Sequence, residues 1–187
     1  MTSDAGARLR RLTTDELTPD EIAAIRALMV AAFGPPDSED GFDDEDWQHA
    51  VGGVHVVLDV DGEIVAHAAV VEREIHVGGR PLRAGYVEAV ATAPDQQGRG
   101  YGTVVMEAVG SIIRERYELG ALGTGSNAFY ARLGWRTWQG PTAIRTASGD
   151  VPTPAEDGCI MVLATPTTPP LDPTQLITSD ERPGDAW

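Results

Sequence analysis

Between Gln97 and Gly102 the chain reads Gln-Gly-Arg-Gly-Tyr-Gly, with glycine at every second position. Glycine admits positive φ and lets the backbone approach a ligand closely, so the amides of such a turn can point into one concavity. Between a strand and a helix, the turn also gains the helix's positive N-terminal end, a combination suited to a diphosphate. Arg99 adds a full charge at the rim. The spacing departs from the G-x-G-x-x-G of dinucleotide sites, and a chain without lysine cannot form the Gly-Lys-Ser/Thr of a P-loop. A glycine-rich turn that binds nothing is the plain alternative.

Carboxylates are the second group with chemical potential. From Asp37 to Asp46 there are seven acidic residues and no basic one. Such a run, and the carboxylates at the other end of the chain, could meet a cationic ligand. A solvated loop and a frayed end are the alternatives. Terminal tryptophan is costly to leave in water, which favours a docked end. His49, His55, His67 and His76 share no metal-ligand spacing and no partner cysteine, so no metal is assigned. His67, within an apolar strand, reads as a hydrogen-bonded core histidine. Cys159 has no activating neighbour in sequence and reads as structural.

The elements that would position these groups follow from periodicity and punctuation. Thr18-Pro19-Asp20-Glu21 predicts a helix start, with Thr18 as N-cap, Pro19 at the first helical position and Glu21 closing a capping box. Ile22, Ile25, Met29 and Ala32 share a face, and Gly34-Pro35-Pro36 stops the helix. The acidic run is a loop leading towards Trp47. Val54 to Leu58 and Glu63 to Val71 flank Asp61-Gly62, a hairpin signal; Glu72 to Val77 continues the second strand or forms a third. Ala84 to Thr92 reads as a central strand buried on both faces. After the glycine turn, Thr103 to Leu119 is a helix with Val104, Val105, Ala108, Ile112 and Tyr117 inward and Gly120 past its end. A short strand from Ala121 to Thr124, a helix from near Ser126, and strands from Trp135 and at Cys159 to Ala164 complete the series. The pattern predicts α+β or mixed α/β.

Bulk composition bounds the function. The 187 residues, 42% hydrophobic and 23% charged, are those of one globular domain rather than a disordered or fibrous chain. Fourteen basic against 29 acidic residues give a formal charge of −15. That field repels phosphate backbones, so no nucleic-acid partner is expected, while a small cationic molecule is attracted; solubility alone is the other reading. A single cysteine precludes an intrachain disulfide and fits a reducing cytosol. Met1 to Leu12 does not read as a signal peptide, and no window approaches the roughly 18 apolar residues of a membrane helix. A cytoplasmic protein without membrane attachment is expected.

Gln97-x-x-Gly100-x-Gly102 after the Tyr86 to Thr92 strand, with Asn127-Ala-Phe-Tyr-Ala-Arg-Leu-Gly-Trp135 downstream, resembles the GCN5-related N-acetyltransferase (GNAT) superfamily. The resemblance implies acetyl-CoA as donor and a single-domain fold whose central sheet, flanked by helices, is splayed open where pantetheine lies. It implies main-chain contacts from Val90, Ala91 and Thr92 to pantetheine, and a pyrophosphate held by Gln97, Gly98, Arg99, Gly100, Tyr101 and Gly102. Phe33-Gly34, Asp46-Trp47, Ala66-His67-Ala-Ala-Val70, Gly85-Tyr-Val-Glu88, Trp138-x-Gly-Pro-Thr142 and Gly184-Asp-Ala-Trp187 are similar to one branch, the aminoglycoside 2'-N-acetyltransferases, from about Thr18 to the end. That branch implies a homodimer and an acceptor site drawing on Asp40, Asp46, Glu88, Ala89, Gly123, Glu156, Asp157, Asp185 and Trp187. The matching division is an N-terminal segment at 1–17, an acetyltransferase domain at 18–165 and a tail at 166–187 packed back to reach the acceptor.

Amine attack on a thioester needs a neutral amine, an oxyanion stabiliser and a proton for the thiolate. By carry-over, Glu88 is the base, acting through water, and Tyr130 the acid, with the Val90 N–H facing the thioester oxygen. Glu88 pairing with a substrate ammonium, and Tyr130 as a core aromatic, are the alternatives. An acetyltransferase for another amine, such as a polyamine or a peptide N-terminus, and a non-catalytic protein that sequesters cationic antibiotics are the rival functions.

Overall fold

The computed structural model describes residues 6–38 and 41–187. Chain density divides it into two compact units: Met1–Val71 with Val87–Val109, and Glu72–Tyr86 with Gly110–Trp187.

The first unit opens with β1 (Ala7–Thr13), a strand the sequence reading passed over. Its three arginines hide any apolar alternation, because Arg10 is tied to Glu21 and to Asp59 (2.8 Å) rather than left in solvent. β1 pairs antiparallel with β2 (Val54–Val60). Asp61 and Gly62 both take positive φ, 52° and 88°, the backbone of a two-residue hairpin, and lead into β3. β3 is one continuous strand, Glu63–Val77, and settles the choice left open at Glu72. The β2–β3 register shifts by one residue between Leu58 and Asp59.

The capping box at Thr18 forms: its side chain accepts from Glu21 N and Glu21 accepts from Thr18 N (2.8 Å). α1 (Pro19–Phe33) follows and ends at Gly34, whose φ of 102° lies outside ordinary L-residue space. Ile25, Leu28 and Met29 enter a core with Leu17, Phe42, Trp47, Val57 and Ala91, while Ile22 and Ala32 sit at its margin. The acidic run leads into α2 (Asp44–Ala50), which presents Trp47 to this core. β4 (Arg80–Thr92) begins in the second unit and brings its last residues, Val87 to Thr92, into the first.

α3 (Tyr101–Arg116) begins in the first unit and ends in the second, where β5 (Leu119–Gly123), α4 (Asn127–Ala131) and β6 (Arg136–Thr137) follow. β7 (Thr142–Thr146), β8 (Gly149–Pro152), β9 (Ile160–Ala164) and β10 (Ile177–Asp180) complete it. With β3 and β4, which the two units share, the strand order is β6-β9-β5-β4-β3-β10-β7-β8. Parallel ladders (β4 with β5, β7 with β10) mix with antiparallel ones, the mixed α/β sheet that was expected. β7, β8 and β10 are strands the sequence reading passed over.

Three expectations for α3 need correction. Val104 is exposed, and the helix ends at Arg116, so Tyr117 lies beyond it. Gly120 is not a cap but the centre of β5, registered opposite Gly85 of β4. A Cβ at Gly120 would come within 2.9 Å of the Leu163 Cβ and 3.0 Å of Ile113 Cγ2, and one at Gly85 within 2.6 Å of the Tyr117 ring. The glycine pair lets α3 and its following residue press against the strands.

Candidate active site

The predicted glycine turn is shorter than expected because its ends are helical. Pro94–Gln96 form a 3-10 turn and α3 already starts at Tyr101. What remains is Gln97 in an extended conformation, then Gly98 and Gly100 with φ of 76° and 86°. A Cβ at either glycine would meet nothing within 4 Å, so the backbone angle, not crowding, requires glycine there. Gln97 to Gly100 are exposed, and Gln97 Nε2 donates to Thr92 O (3.4 Å), tying the turn to the end of β4. The first turn of α3 carries no acidic residue, so nothing there opposes an anion at its amides. The Tyr101 ring is buried.

Upstream on β4, half-buried Glu88, Ala89 and Val90 carry the backbone anomaly of the strand. Ala89 has φ of 50°, a left-handed residue without glycine's freedom, costing roughly 1–2 kcal/mol. A side chain holds it: His67 Nδ1 lies 2.7 Å from Ala89 O. His67 Nε2 lies 2.9 Å from His55 Nδ1, His55 Nε2 2.9 Å from Thr14 Oγ1, and Gly52 N donates to Thr14 Oγ1 (2.9 Å). Both rings are fully buried. Burial pulls His55 down to about 4; burial, with the neighbouring His55, pulls His67 down to about 3. Each ring is therefore neutral near pH 7. The Ala89 carbonyl can only accept, so His67 carries its proton on Nδ1 and accepts at Nε2. His55 then donates from Nδ1 and accepts from Thr14. His67 was read as a core histidine; its reach to the β4 backbone was not.

In the second unit, α4 presents Tyr130 between Phe129 (ring centroids 5.0 Å, edge-on) and Trp135 (6.3 Å). Asn127 anchors this helix by donating to Thr137 Oγ1 and Gly158 O, each 2.9 Å. Gly134, at φ of 91°, turns the chain so that Trp135 N reaches Tyr130 O (3.2 Å). Burial pushes the Tyr130 hydroxyl up to about 12, opposed by a hydrogen bond with the Thr124 side chain. It keeps its proton at neutral pH and can only donate it.

The same unit gathers part of the predicted acidic set. Trp187 is 6% exposed and its Nε1 donates to Thr153 Oγ1 (3.1 Å). A Cβ at Gly123 would lie 3.6 Å from the Trp187 carbonyl carbon and 3.5 Å from the Tyr86 hydroxyl. Arg73 Nη2 donates to Ala186 O (2.9 Å), and its guanidinium lies 4.5 Å from the Tyr86 ring centroid. Burial and the Asp185 charge raise Glu156, the signature of two anions held close. Asp157 does other work: its Oδ1 accepts from Thr142 N (2.8 Å) and lies 2.9 Å from Thr142 Oγ1, beside Thr153. Asp46 likewise serves its own helix, accepting from Asp43 N (2.9 Å) in a capping box. Asp40 lies outside the described residues. Among the described residues no cluster of three or more His, Cys, Asp or Glu offers a metal site, and no helix is long and apolar enough to cross a membrane.

Residues 13–138 match the acetyltransferase (GNAT) domain family. The chain belongs to that family. Within it, this GNAT acetyltransferase is 40% identical to an aminoglycoside 2'-N-acetyltransferase from Mycolicibacterium fortuitum, over 95% of this chain and 91% of that one. Its fold is similar to a GNAT family N-acetyltransferase from Escherichia coli, solved in complex with CoA (TM-score 0.65, 16% identity, 93% of this chain and 89% of the other). It is also similar to one from Brucella melitensis, solved with acetyl-CoA (TM-score 0.60, 19% identity, 91% and 94%). The chain spans 33% and 36% of the length of two further matched structures.

The two units divide the predicted groups of this acetyltransferase cleanly. The first holds Glu88, Ala89, Val90, Ala91, Thr92 and the glycine turn; the second holds Tyr130, Gly123, Glu156, Asp185 and Trp187. Ala89's conformation left no trace in sequence, because positive φ is usually foretold by glycine or asparagine. Arg73 and Thr153, which fasten the last residues, gave no signal either: they come from β3 and from the residue after β8.

Proposed function

We propose that this chain transfers acetyl from acetyl-CoA to the 2'-amino group of aminoglycosides. The observation that carries this reading is the docked end of the chain: Trp187 is buried, its N–H donates to Asp185 Oδ1 (3.0 Å), and burial with the Asp185 charge raises Glu156, carboxylates that suit a cationic acceptor. The 40% identity to an aminoglycoside 2'-N-acetyltransferase points the same way.

The donor is seated by the turn: amides of Gly98 to Gly102 and the N-terminus of α3 hold the pyrophosphate, with Arg99 at its rim and Gln97 bracing the loop. Val90, Ala91 and Thr92 offer main-chain groups to pantetheine, and the Val90 N–H meets the thioester oxygen. Glu88 receives, through water, the proton that the acceptor ammonium must shed. The neutral amine attacks the thioester carbon, negative charge develops on the oxygen against Val90 N–H, and the C–S bond breaks as the amide forms and its nitrogen sheds a second proton to solvent. Tyr130 meets the departing thiolate. Its affinity near 12 against about 8.5 for a thiol makes complete proton transfer uphill by about 5 kcal/mol, so the phenol stabilises the thiolate chiefly by donating a hydrogen bond. Solvent can complete the protonation.

By resemblance the acceptor contacts are Glu88, Ala89, Asp40 and Asp46 of the first unit, and Gly123, Glu156, Asp157, Asp185 and Trp187 of the second, Asp46 and Asp157 being also committed to local backbone. The acetyltransferase domain is the body at 18–165, and the tail at 166–187 packs back to reach the acceptor. The protein works in the cytoplasm as a homodimer, checked by elution at twice the chain mass, and confers antibiotic resistance.

The deciding assay follows thiol release from acetyl-CoA. An aminoglycoside with a 2'-amine should release thiol, and an analogue with a 2'-hydroxyl should not. Equal rates overturn the 2' assignment; turnover confined to simple polyamines or peptide amines moves the enzyme to another acceptor. Binding of both ligands with no thiol released makes it a sequestering protein.

A further inference from the structure

The carbonyl of Ala89 and the N–H of Val90 belong to one peptide group. The chain has no cis peptide among the described residues, so these two dipoles point in opposite directions across one rigid plane. Whatever grips the carbonyl aims the N–H. The grip is His67 Nδ1, at 2.7 Å. It is also the end of a directed series: Gly52 N–H to Thr14, Thr14 hydroxyl to His55, His55 to His67, His67 to Ala89. Every donor in that series points towards β4, and hydrogen bonds aligned this way polarise one another.

We propose that His67 is a positioning residue for acyl transfer: its Nδ1–H···O=C bond to Ala89 fixes the plane of the 89–90 peptide and strengthens Val90 N–H as donor to the thioester oxygen. This rests on the reading that Val90 N–H meets that oxygen. Ala89, at a φ of 50°, would relax towards the extended region without such a hold, rotating the amide away. A buried histidine that only filled space would not need its proton on the nitrogen facing the backbone. His55 and Thr14 fix that tautomer, so they act one and two steps further back.

The test uses two polar substitutions of similar size in the full chain. In His67→Asn the amide nitrogen falls where Nδ1 stood, keeping the donor to Ala89 O and losing His55. In His67→Gln the amide falls where Nε2 stood, keeping His55 and losing Ala89. Carbonyl-¹³C acetyl-CoA is bound without acceptor, and its thioester C=O stretch is read by isotope-edited infrared spectroscopy, alongside kcat, KM for acetyl-CoA and the melting temperature. In the wild type the stretch moves to lower frequency on binding. His67→Asn keeps that shift and a kcat within about threefold. His67→Gln loses the shift, and its kcat falls about 10- to 100-fold with little change in KM, a part of the 10²–10³ that removal of a whole oxyanion donor costs.

If both variants keep the wild-type shift and kcat, His67 merely packs the hairpin and the proposal is overturned. If the Asn variant loses as much as the Gln variant, donation to Ala89 is not what matters, and it is overturned equally. A wild type with no shift on binding removes the Val90 contact itself, a failure of the underlying reading rather than of His67.

Discussion

At the scale of single residues, the groups assigned to the chemistry differ in how openly the sequence declared them. Tyr130 was visible because an aromatic pair precedes a glycine–tryptophan turn, and the structure supplies its state: a buried phenol near 12 that keeps its proton. That value sets the size of the expected effect. Because full proton transfer to a thiolate is uphill, Tyr130→Phe should cost kcat about 10²-fold, the low end for a general acid, with KM for both substrates changed less than threefold. Steady-state rates decide it, and an unchanged kcat removes Tyr130 from the mechanism. The acidic residues were less legible. A carboxylate in sequence carries no mark of whether it will meet a ligand or an amide of its own chain. Asp46, Asp157 and Asp185 met amides, whereas Glu156 is marked only by burial and the Asp185 charge, which raise it.

At the scale of elements, most long periodic segments were readable, and the failures share a cause. α1, with its capping box, is local and declared itself. β1 and β10 are held by partners distant in sequence, β7 and β8 form a short hairpin of their own, and none of the four shows much alternation. The β2–β3 hairpin shows how one residue can redirect a site. Continuing the register from Val60↔Glu63 unbroken would pair His55 with Ala68 and put His67 on the opposite face. The shift at Leu58/Asp59 pairs His55 with Ala69 instead, and the two histidines share a face. No turn signal predicts that shift.

The hairpin also makes a prediction for acid. His55 and His67 are lowered in the fold, to about 4 and about 3, from an unfolded value near 6.5. Between those limits the unfolded chain binds more protons than the folded one, so stability falls as pH drops below about 6.5 and gains no slope from this pair above it. Each ring contributes at most about 1.4 kcal/mol per pH unit. Melting temperature against pH should therefore fall less steeply from 6.5 to 4.5 in a His55→Gln/His67→Asn double variant; identical slopes would show that other groups govern acid unfolding.

At the scale of the whole molecule, charge and topology serve the same end. A formal charge of −15, with arginine as the only strongly basic side chain, draws polycations and leaves no lysine amine within the 187 residues to compete for an acetyl group. The chain crosses between its two units at β3, β4 and α3.

The lodged indole of Trp187, hydrogen-bonded to Thr153, has an optical consequence. All four tryptophans are buried, but only Trp187 belongs to the proposed acceptor set, and its own N–H donates to Asp185 (3.0 Å). Saturating aminoglycoside should change the protein's ultraviolet emission, and Trp187→Phe should erase most of that change, turning one chromophore into a gauge of occupancy. A response undiminished in the variant would place the bound sugar elsewhere.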